Sequence, residues 1–121
     1  MTIQVLAVDD SRTMRDMLNM ALRGGGFIPH LAEDGQHGLE VLQDINPDVI
    51  ITDINMPRLD GFGFINALRA DAKWRKIPIL VLTTESADTL KARARDAGAT
   101  GWIVKPFDPV KLVKAIQMVA G

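Results

Sequence analysis

Short apolar runs alternate with segments of helical period along the whole chain, and this pattern limits the possible folds more than any other feature. Runs such as residues 49–51 and 79–82 are apolar on both faces, which is typical of strands that are covered on both sides. The predicted strands span residues 3–9, 27–32, 48–53, 77–83 and 101–105. Helices that alternate with such strands favour a parallel sheet, because each helix must return the chain to the same edge.

The first predicted helix shows the clearest amphipathic spacing. Its apolar residues lie three or four positions apart and are Met14, Met17, Leu18, Ala21 and Leu22. A run of three glycines follows and predicts where the helix ends. We interpret the methionines as core residues, not as ligands.

Four further helices are predicted by their periodicity and end signals. The second spans about residues 36–45 and ends before a proline, and the third follows Asp60. Ser86 is the predicted N-cap of the fourth helix, which Gly98 ends. Asp108 is the predicted N-cap of the fifth, with a proline at the first helical position.

Composition restricts the functional classes. The chain has 121 residues, of which 47% are hydrophobic, so we expect one compact domain, residues 1–121, without an output domain. The absence of cysteine excludes disulfides and cysteine-based metal sites. No apolar run could span a bilayer and no secretory signal is evident, so a cytoplasmic location is expected.

Polar residues follow four of the five predicted strands. Asp9 ends the first strand and Asp10 follows it, while Asp53, Thr83 and Lys105 end the third, fourth and fifth strands. The carboxyl ends of parallel strands share one edge of the sheet, where ligands bind at the topological switch point. We therefore expect these five side chains to lie close together.

Three carboxylates at one edge would repel each other unless a cation joined them. Mg²⁺ is the first candidate, because it binds carboxylates and leaves other positions to water and phosphate oxygens. The alternative is that Asp10 caps the first helix and Asp9 is solvated. Asp53 is either a turn residue or, beside a metal, a nucleophile that forms an acyl phosphate. Lys105 is either a surface lysine or a cation for a phosphoryl oxygen.

Four stretches together resemble the response-regulator receiver domain, of the single-domain chemotaxis (CheY-like) type: VLAVDDSRTMR, IITDINMPRLDGF, LVLTTES and GWIVKPF. The resemblance covers residues 3–119. It implies an α/β fold, a flavodoxin-like doubly wound five-stranded parallel sheet in the order 2-1-3-4-5 with five helices. It also implies a two-component response regulator in bacterial chemotaxis and flagellar motor control. The alternative is a phosphate sink or phosphorelay shuttle without a motor target.

The resemblance assigns roles to the acidic residues. Asp53 would accept a phosphoryl group from the phosphohistidine of a histidine kinase. Mg²⁺ would be bound by Asp9, Asp10, Asp53 and the backbone carbonyl of Asn55. The protein would phosphorylate and dephosphorylate itself and would not be a turnover enzyme.

The resemblance also assigns the residues of the phosphoryl pocket and of a switch. Thr83 and Lys105 would bind phosphoryl oxygens, and the bond between Lys105 and Pro106 would be cis. Trp102 would turn inward when Thr83 is drawn to the phosphate. The family usually has Tyr or Phe there, and an indole is larger with an N–H that needs a partner. Trp102 either makes that turn or stays outside as part of a binding surface.

Further expectations concern lifetime and partners. The side chains of Asn55 and Glu85 would lie near the path of hydrolytic water and tune the lifetime of the phosphorylated state. A flagellar switch or other target would bind a basic face that includes Lys91, Trp102, Lys111 and Lys114. No nucleic-acid binding is expected, because no recognition helix or base-stacking platform is evident, and no membrane insertion is expected.

Two other protein classes, a phosphatase and a flavin-binding module, agree less well with the sequence. A haloacid-dehalogenase-like phosphatase would carry its nucleophile in a D-x-D motif on the first strand, where this chain has adjacent acids. A flavin-binding module would need a phosphate loop rich in hydroxyls and amides, where the acidic sequence DDSR would repel the phosphate.

Overall fold

The computed structural model describes residues 2–120 and confirms the predicted alternation of strands and helices. Met1 and Gly121, the ends of the predicted domain, lie outside the described residues. The strands are β1 (Gln4–Val8), β2 (Ile28–Ala32), β3 (Val49–Thr52), β4 (Ile79–Thr83) and β5 (Gly101–Val104). The helices are α1 (Arg12–Gly24), α2 (Gly35–Val41), α3 (Gly61–Ala70), α4 (Asp88–Ala97) and α5 (Pro109–Ala120).

The five strands form one parallel sheet in the order β2-β1-β3-β4-β5, as the resemblance implied. The chain runs outward from β1 to β2 and then returns to β3 on the other side of β1. The strand order therefore reverses between β1 and β3, which makes their carboxyl ends the expected binding edge. Val8 pairs with Thr52 in the register of these two strands, so Asp9 and Asp53 emerge side by side.

The apolar residues form one cluster on each face of the sheet. Leu6 and Val8 of β1 contribute to the cluster shared with α3 and α4, whereas Val5 and Ala7 contribute to the cluster shared with α1 and α5. Strands β3 and β4 are buried along their whole length. The sheet is thus covered on both sides, and Asp9 and Asp53 directly follow its strands β1 and β3, while Thr83 ends β4.

Three helix ends differ from the predictions. Ser11, not Asp10, caps α1, since its side chain accepts a hydrogen bond from the backbone N–H of Met14. The N-cap of α4 is Ala87, one residue after the predicted Ser86, and no side chain caps this helix. Helix α2 ends at residue 41 because the following turns tighten to bonds between residues three apart.

The interpretation of all helix-spaced methionines as core residues was wrong for Met17, which is 43% exposed. Leu18 and Leu22 form the buried stripe of α1 and are at most 1% exposed. Met17 lies next to Leu18 on the helix and is therefore turned by about 100° from that stripe. Met14 packs partly against the core, as predicted.

Among residues 2–120, no helix combines the length and the apolar character that crossing a bilayer would require.

Candidate functional site at the carboxyl edge of the sheet

Asp9, Asp53 and Lys105 form the centre of the site. The ammonium nitrogen of Lys105 lies 2.6 Å from Oδ2 of Asp9 and 2.6 Å from Oδ2 of Asp53. Asp9 is 1% exposed and Asp53 is 8% exposed. Lys105 therefore binds two buried carboxylates at once, and the interpretation of Lys105 as an ordinary surface lysine was wrong.

Asp10 completes a cluster of three carboxylates. Each of Asp9, Asp10 and Asp53 offers one carboxylate oxygen, and these oxygens lie within 4.8 Å of one another. Asp10 is exposed, so the cluster opens to solvent on its side. Three negative charges against the one positive charge of Lys105 leave a net charge of −2 among the side chains that meet here. An oxygen-rich cluster with this charge fits a hard divalent cation.

Burial and pairing oppose each other at this centre. Desolvation raises the pKa of Asp9 above its ordinary value, against the lowering effect of its hydrogen bonds with Lys105 and Ser11. Burial on its own lowers the pKa of Lys105, but the hydrogen bonds and charges of Asp53 and Asp9 outweigh it and raise that pKa. The lysine is therefore held in its charged form.

Backbone contacts fix the two buried carboxylates. The other oxygen of Asp9 accepts a hydrogen bond from the Ser11 N–H at 2.9 Å. The Ile54 N–H donates to Oδ1 of Asp53 at 2.6 Å. A Cβ atom at Gly61 would lie only 2.2 Å from the carbonyl oxygen of Asp53, so only glycine permits this close approach. Gly61, the first residue of α3, thereby packs directly against the backbone of Asp53.

Thr83 lies at the end of β4 and is fully buried. Its hydroxyl oxygen accepts a long hydrogen bond, 3.4 Å, from the Glu85 N–H. The amide of Asn55 donates to the carboxylate of Glu85 at 3.2 Å. The contact between Asn55 and Glu85 joins the segment that follows β3 to the segment that follows β4. The peptide bond between Lys105 and Pro106 is cis, as the resemblance implied.

The side chain of Trp102 is partly buried. Its indole N–H donates to the carbonyl oxygen of Glu85 at 3.0 Å, and its ring packs partly against the core. The N–H thus has the partner that a partly buried indole needs. This hydrogen bond connects β5 to the segment that begins two residues after Thr83.

A family model for the response regulator receiver domain matches residues 5–117. The chain belongs to this family. Chemotaxis protein CheY1 of Helicobacter pylori is 37% identical to this chain, and the match covers 98% of either chain. Among solved structures, chemotaxis protein CheY4 of Vibrio cholerae is 43% identical, with a TM-score of 0.93 over 98% of this chain and 99% of that one.

A second solved structure is described with a metal. The receiver domain of the sensor histidine kinase PA1611 from Pseudomonas aeruginosa is 26% identical to this chain, with a TM-score of 0.91. The match covers 100% of this chain and 99% of that one, and that structure has a magnesium ion coordinated in its active-site cleft. These relatives share the fold of this receiver domain over nearly its whole length.

The sequence did not reveal two polar contacts of this receiver domain. A guanidinium nitrogen of Arg15 donates to the backbone carbonyl of Asp9 at 2.8 Å. The second predicted strand was the one without a functional polar residue at its end. Asp34 nevertheless lies two residues after β2, is 3% exposed and forms an ion pair with Arg58. Each contact joins two segments, and the sequence does not show that these segments lie close together in the fold.

Proposed function

We propose that this receiver domain accepts a phosphoryl group on Asp53 from the phosphohistidine of a histidine kinase and thereby controls the binding of a target protein. The single observation that supports this proposal best is the bridge that Lys105 makes between the buried carboxylates of Asp9 and Asp53. A candidate nucleophile, a lysine cation and further acidic side chains meet at the carboxyl edge of a doubly wound sheet.

In the proposed reaction, a carboxylate oxygen of Asp53 attacks the phosphorus atom. The new bond joins that oxygen to phosphorus, while the bond between phosphorus and the donor imidazole nitrogen breaks and its electron pair stays on nitrogen. The backbone N–H of Ile54 holds the carboxylate in place. The Lys105 ammonium group, which lies 2.6 Å from Oδ2 of Asp53, would bind one phosphoryl oxygen, and Thr83 would bind another. In the reverse half of the cycle, water attacks phosphorus, the bond to the Asp53 oxygen breaks, and inorganic phosphate leaves the free carboxylate.

Mg²⁺ is the proposed cofactor, held by Asp9, Asp10, Asp53 and the backbone carbonyl of Asn55. When bound, it would supply positive charge to the phosphoryl oxygens and orient them for transfer. Asp9 and Asp10 would serve mainly as its ligands, whereas Asp53 would also be the phosphoacceptor. The amide of Asn55 and the carboxylate of Glu85 flank this region and would influence the access of water.

Asp9→Asn and Asp10→Asn should each weaken Mg²⁺ binding by about tenfold or more, because each removes one charged oxygen ligand. Isothermal titration calorimetry measures the dissociation constant. Asp16→Asn is the matched control, since Asp16 is exposed on α1 and lies outside the carboxylate cluster. Unchanged Mg²⁺ binding in both site variants would refute the metal assignment.

A coupled movement of Thr83 and Trp102 is the proposed output of phosphorylation. The path is short, because the Trp102 indole is bonded to Glu85 and the Thr83 hydroxyl accepts from the same residue. Adding the phosphoryl mimic beryllofluoride should therefore change the emission of Trp102. Trp74→Phe leaves Trp102 as the sole fluorophore, and constant emission in this background would argue against an aromatic switch.

The proposed target face surrounds Trp102. Lys91 and Arg95 line one groove that includes Trp102, and Lys111 lines a second groove that also includes Trp102. Exposed Lys114 adds to the positive charge, so an acidic target segment is favoured. The similarity to chemotaxis proteins favours a flagellar-switch target in the cytoplasm. If a flagellar-switch protein fails to bind the beryllofluoride-treated protein, a phosphate sink or phosphorelay shuttle is favoured instead.

A further inference from the structure

The loop between β3 and α3 carries two of the proposed metal ligands. It runs from Asp53 to Asp60, and Asn55 is its third residue. Its two ends meet, because the Gly61 N–H donates to the carbonyl of Ile54 at 2.8 Å. The loop is therefore closed at its base, and the position of its tip depends on contacts with other elements.

The tip contains an unusual backbone conformation. Arg58 has a φ of 64°, and no other non-glycine residue within residues 2–120 has a positive φ. The Leu59 N–H donates to the Pro57 carbonyl at 2.7 Å, which closes a three-residue turn around Arg58. Turns of this kind with positive φ are rare and strained, and such strain is often found at functional sites.

The strained tip is bound to the start of α2. Arg58 makes two parallel hydrogen bonds with Asp34, from Nε to Oδ2 at 2.8 Å and from Nη2 to Oδ1 at 3.0 Å. The next residue, Leu59, accepts a hydrogen bond from the Gly35 N–H at 3.1 Å. A Cβ atom at Gly35 would lie 2.6 Å from that carbonyl oxygen, so the loop and the helix are in close contact.

Asp34 is well placed to hold the arginine. Its side chain is 4% exposed, whereas that of Arg58 is 51% exposed. Asp34 also accepts a hydrogen bond from the His37 N–H at 2.8 Å and so caps α2. The hydrogen bonds from Arg58 hold the pKa of Asp34 below its ordinary value. The Asp34 carboxylate is thus held by the first turn of α2 as well as by its contact with the loop.

We propose that Arg58 and Asp34 act as a positioning pair for the metal site, because their contact fixes the loop from which the Asn55 carbonyl must reach the cation. This inference rests on the proposed function. Asn55 lies three residues before Arg58, and its side chain is bonded to Glu85. A loop released from α2 could move the Asn55 carbonyl away from Asp9 and Asp53. Neither Arg58 nor Asp34 touches the metal or the phosphoryl group in this scheme.

Two substitutions remove the pair while preserving local structure. Arg58→Gly introduces a residue that adopts positive φ without strain and removes the whole arginine side chain with its guanidinium. Asp34→Asn retains a good N-cap for α2 but removes the charge and one of the two oxygens that accept from Arg58. Arg58→Lys keeps a positive charge at the same backbone position but cannot form the double hydrogen bond. Arg23→Ala is the control for loss of an exposed arginine, since the Arg23 side chain donates to Asn19 on its own helix.

Mg²⁺ alone is the probe, with its dissociation constant measured by calorimetry at a temperature where every variant is folded. Arg58→Gly and Asp34→Asn should each weaken binding by about threefold to tenfold, near the lower limit for residues that orient metal ligands. Arg58→Lys should recover part of this loss, and the double variant should resemble either single one because both remove the same contact. The Mg²⁺ concentration for half-maximal phosphorylation should rise more than the maximal rate falls.

A purely structural role would lower the melting temperature and leave the Mg²⁺ dissociation constant of the folded protein unchanged. If both single variants give that result while the wild type binds Mg²⁺ and is labelled normally, Arg58 and Asp34 are not a positioning pair. The proposed function would be unaffected. A wild-type protein that neither bound Mg²⁺ nor accepted a phosphoryl group would remove the proposed function, and the inference with it.

Discussion

Asp53→Asn should lower phosphoryl transfer to the protein by at least about three orders of magnitude, because a neutral amide cannot replace the carboxylate nucleophile. Asparagine has nearly the same size, and its oxygen can still accept the hydrogen bond from the Ile54 N–H. The variant should therefore fold normally. The measurement is the amount of hydroxylamine-labile phosphate on the protein after transfer from a radiolabelled phosphohistidine donor in the presence of Mg²⁺.

Asp44→Asn provides the matched control for this experiment. Asp44 is exposed and follows α2, away from the carboxyl edge of the sheet, so its labelling should equal that of the wild type. Substantial labelling of Asp53→Asn would mean that a different residue is the acceptor. Asp9 and Asp10 would then be the first alternatives, because they share the same cluster.

Lys105→Met should have the second largest effect, on both stability and signalling. Removal of the ammonium group leaves the buried carboxylates of Asp9 and Asp53 facing each other without a partner. Breaking a buried ion pair in this way costs about 3 kcal/mol in free energy of unfolding. Added Mg²⁺ should restore much of this stability and should bind more tightly than in the wild type, because Lys105 no longer competes for the carboxylates. The phosphorylated variant should nevertheless signal poorly.

The stability difference between the wild type and Lys105→Met should depend on pH in a defined direction. The pKa of Lys105 is raised above its ordinary value of 10.5. A raised lysine pKa contributes stability that is fully present below pH 10.5 and is lost as the pH rises through the folded-state pKa. The difference should therefore be constant near neutral pH and shrink in strong alkali.

Denaturant unfolding of both proteins without metal, over a range of pH, measures this difference. Lys76→Met is the control, since Lys76 is exposed and should affect stability little. A Lys105→Met protein as stable as the wild type at neutral pH, with unchanged Mg²⁺ affinity, would show that the bridge between the carboxylates is not a significant interaction in solution.

Much of this site could be predicted from the residues at the ends of the strands. A parallel sheet brings all carboxyl ends to one edge, so the meeting of Asp9, Asp53 and Lys105 followed from the strand assignments alone. The strand order came from the family resemblance, not from the residue pattern. The direct bridge from Lys105 to both carboxylates was not predicted, because the sequence gives the position of a lysine but not the direction of its long side chain.

The contacts that the sequence missed depend on local conformation. Ser11 and Asp10 are both good N-caps, and only the backbone geometry of α1 decides between them. Arg58 and Asp34 are 24 positions apart, and an arginine at positive φ has no sequence signature. Met17 has the spacing of a core residue, but the packing of α1 turns the neighbouring leucine toward the sheet.

The most direct test of the account is to locate the phosphoryl group on the wild-type protein. After transfer from a phosphohistidine donor, borohydride reduction converts an acyl phosphate of aspartate to homoserine, which mass spectrometry assigns to one residue. We expect a single modified position, residue 53, formed only when Mg²⁺ is present. Modification at another residue, or equal modification of residue 53 without a divalent cation, would contradict the proposed chemistry.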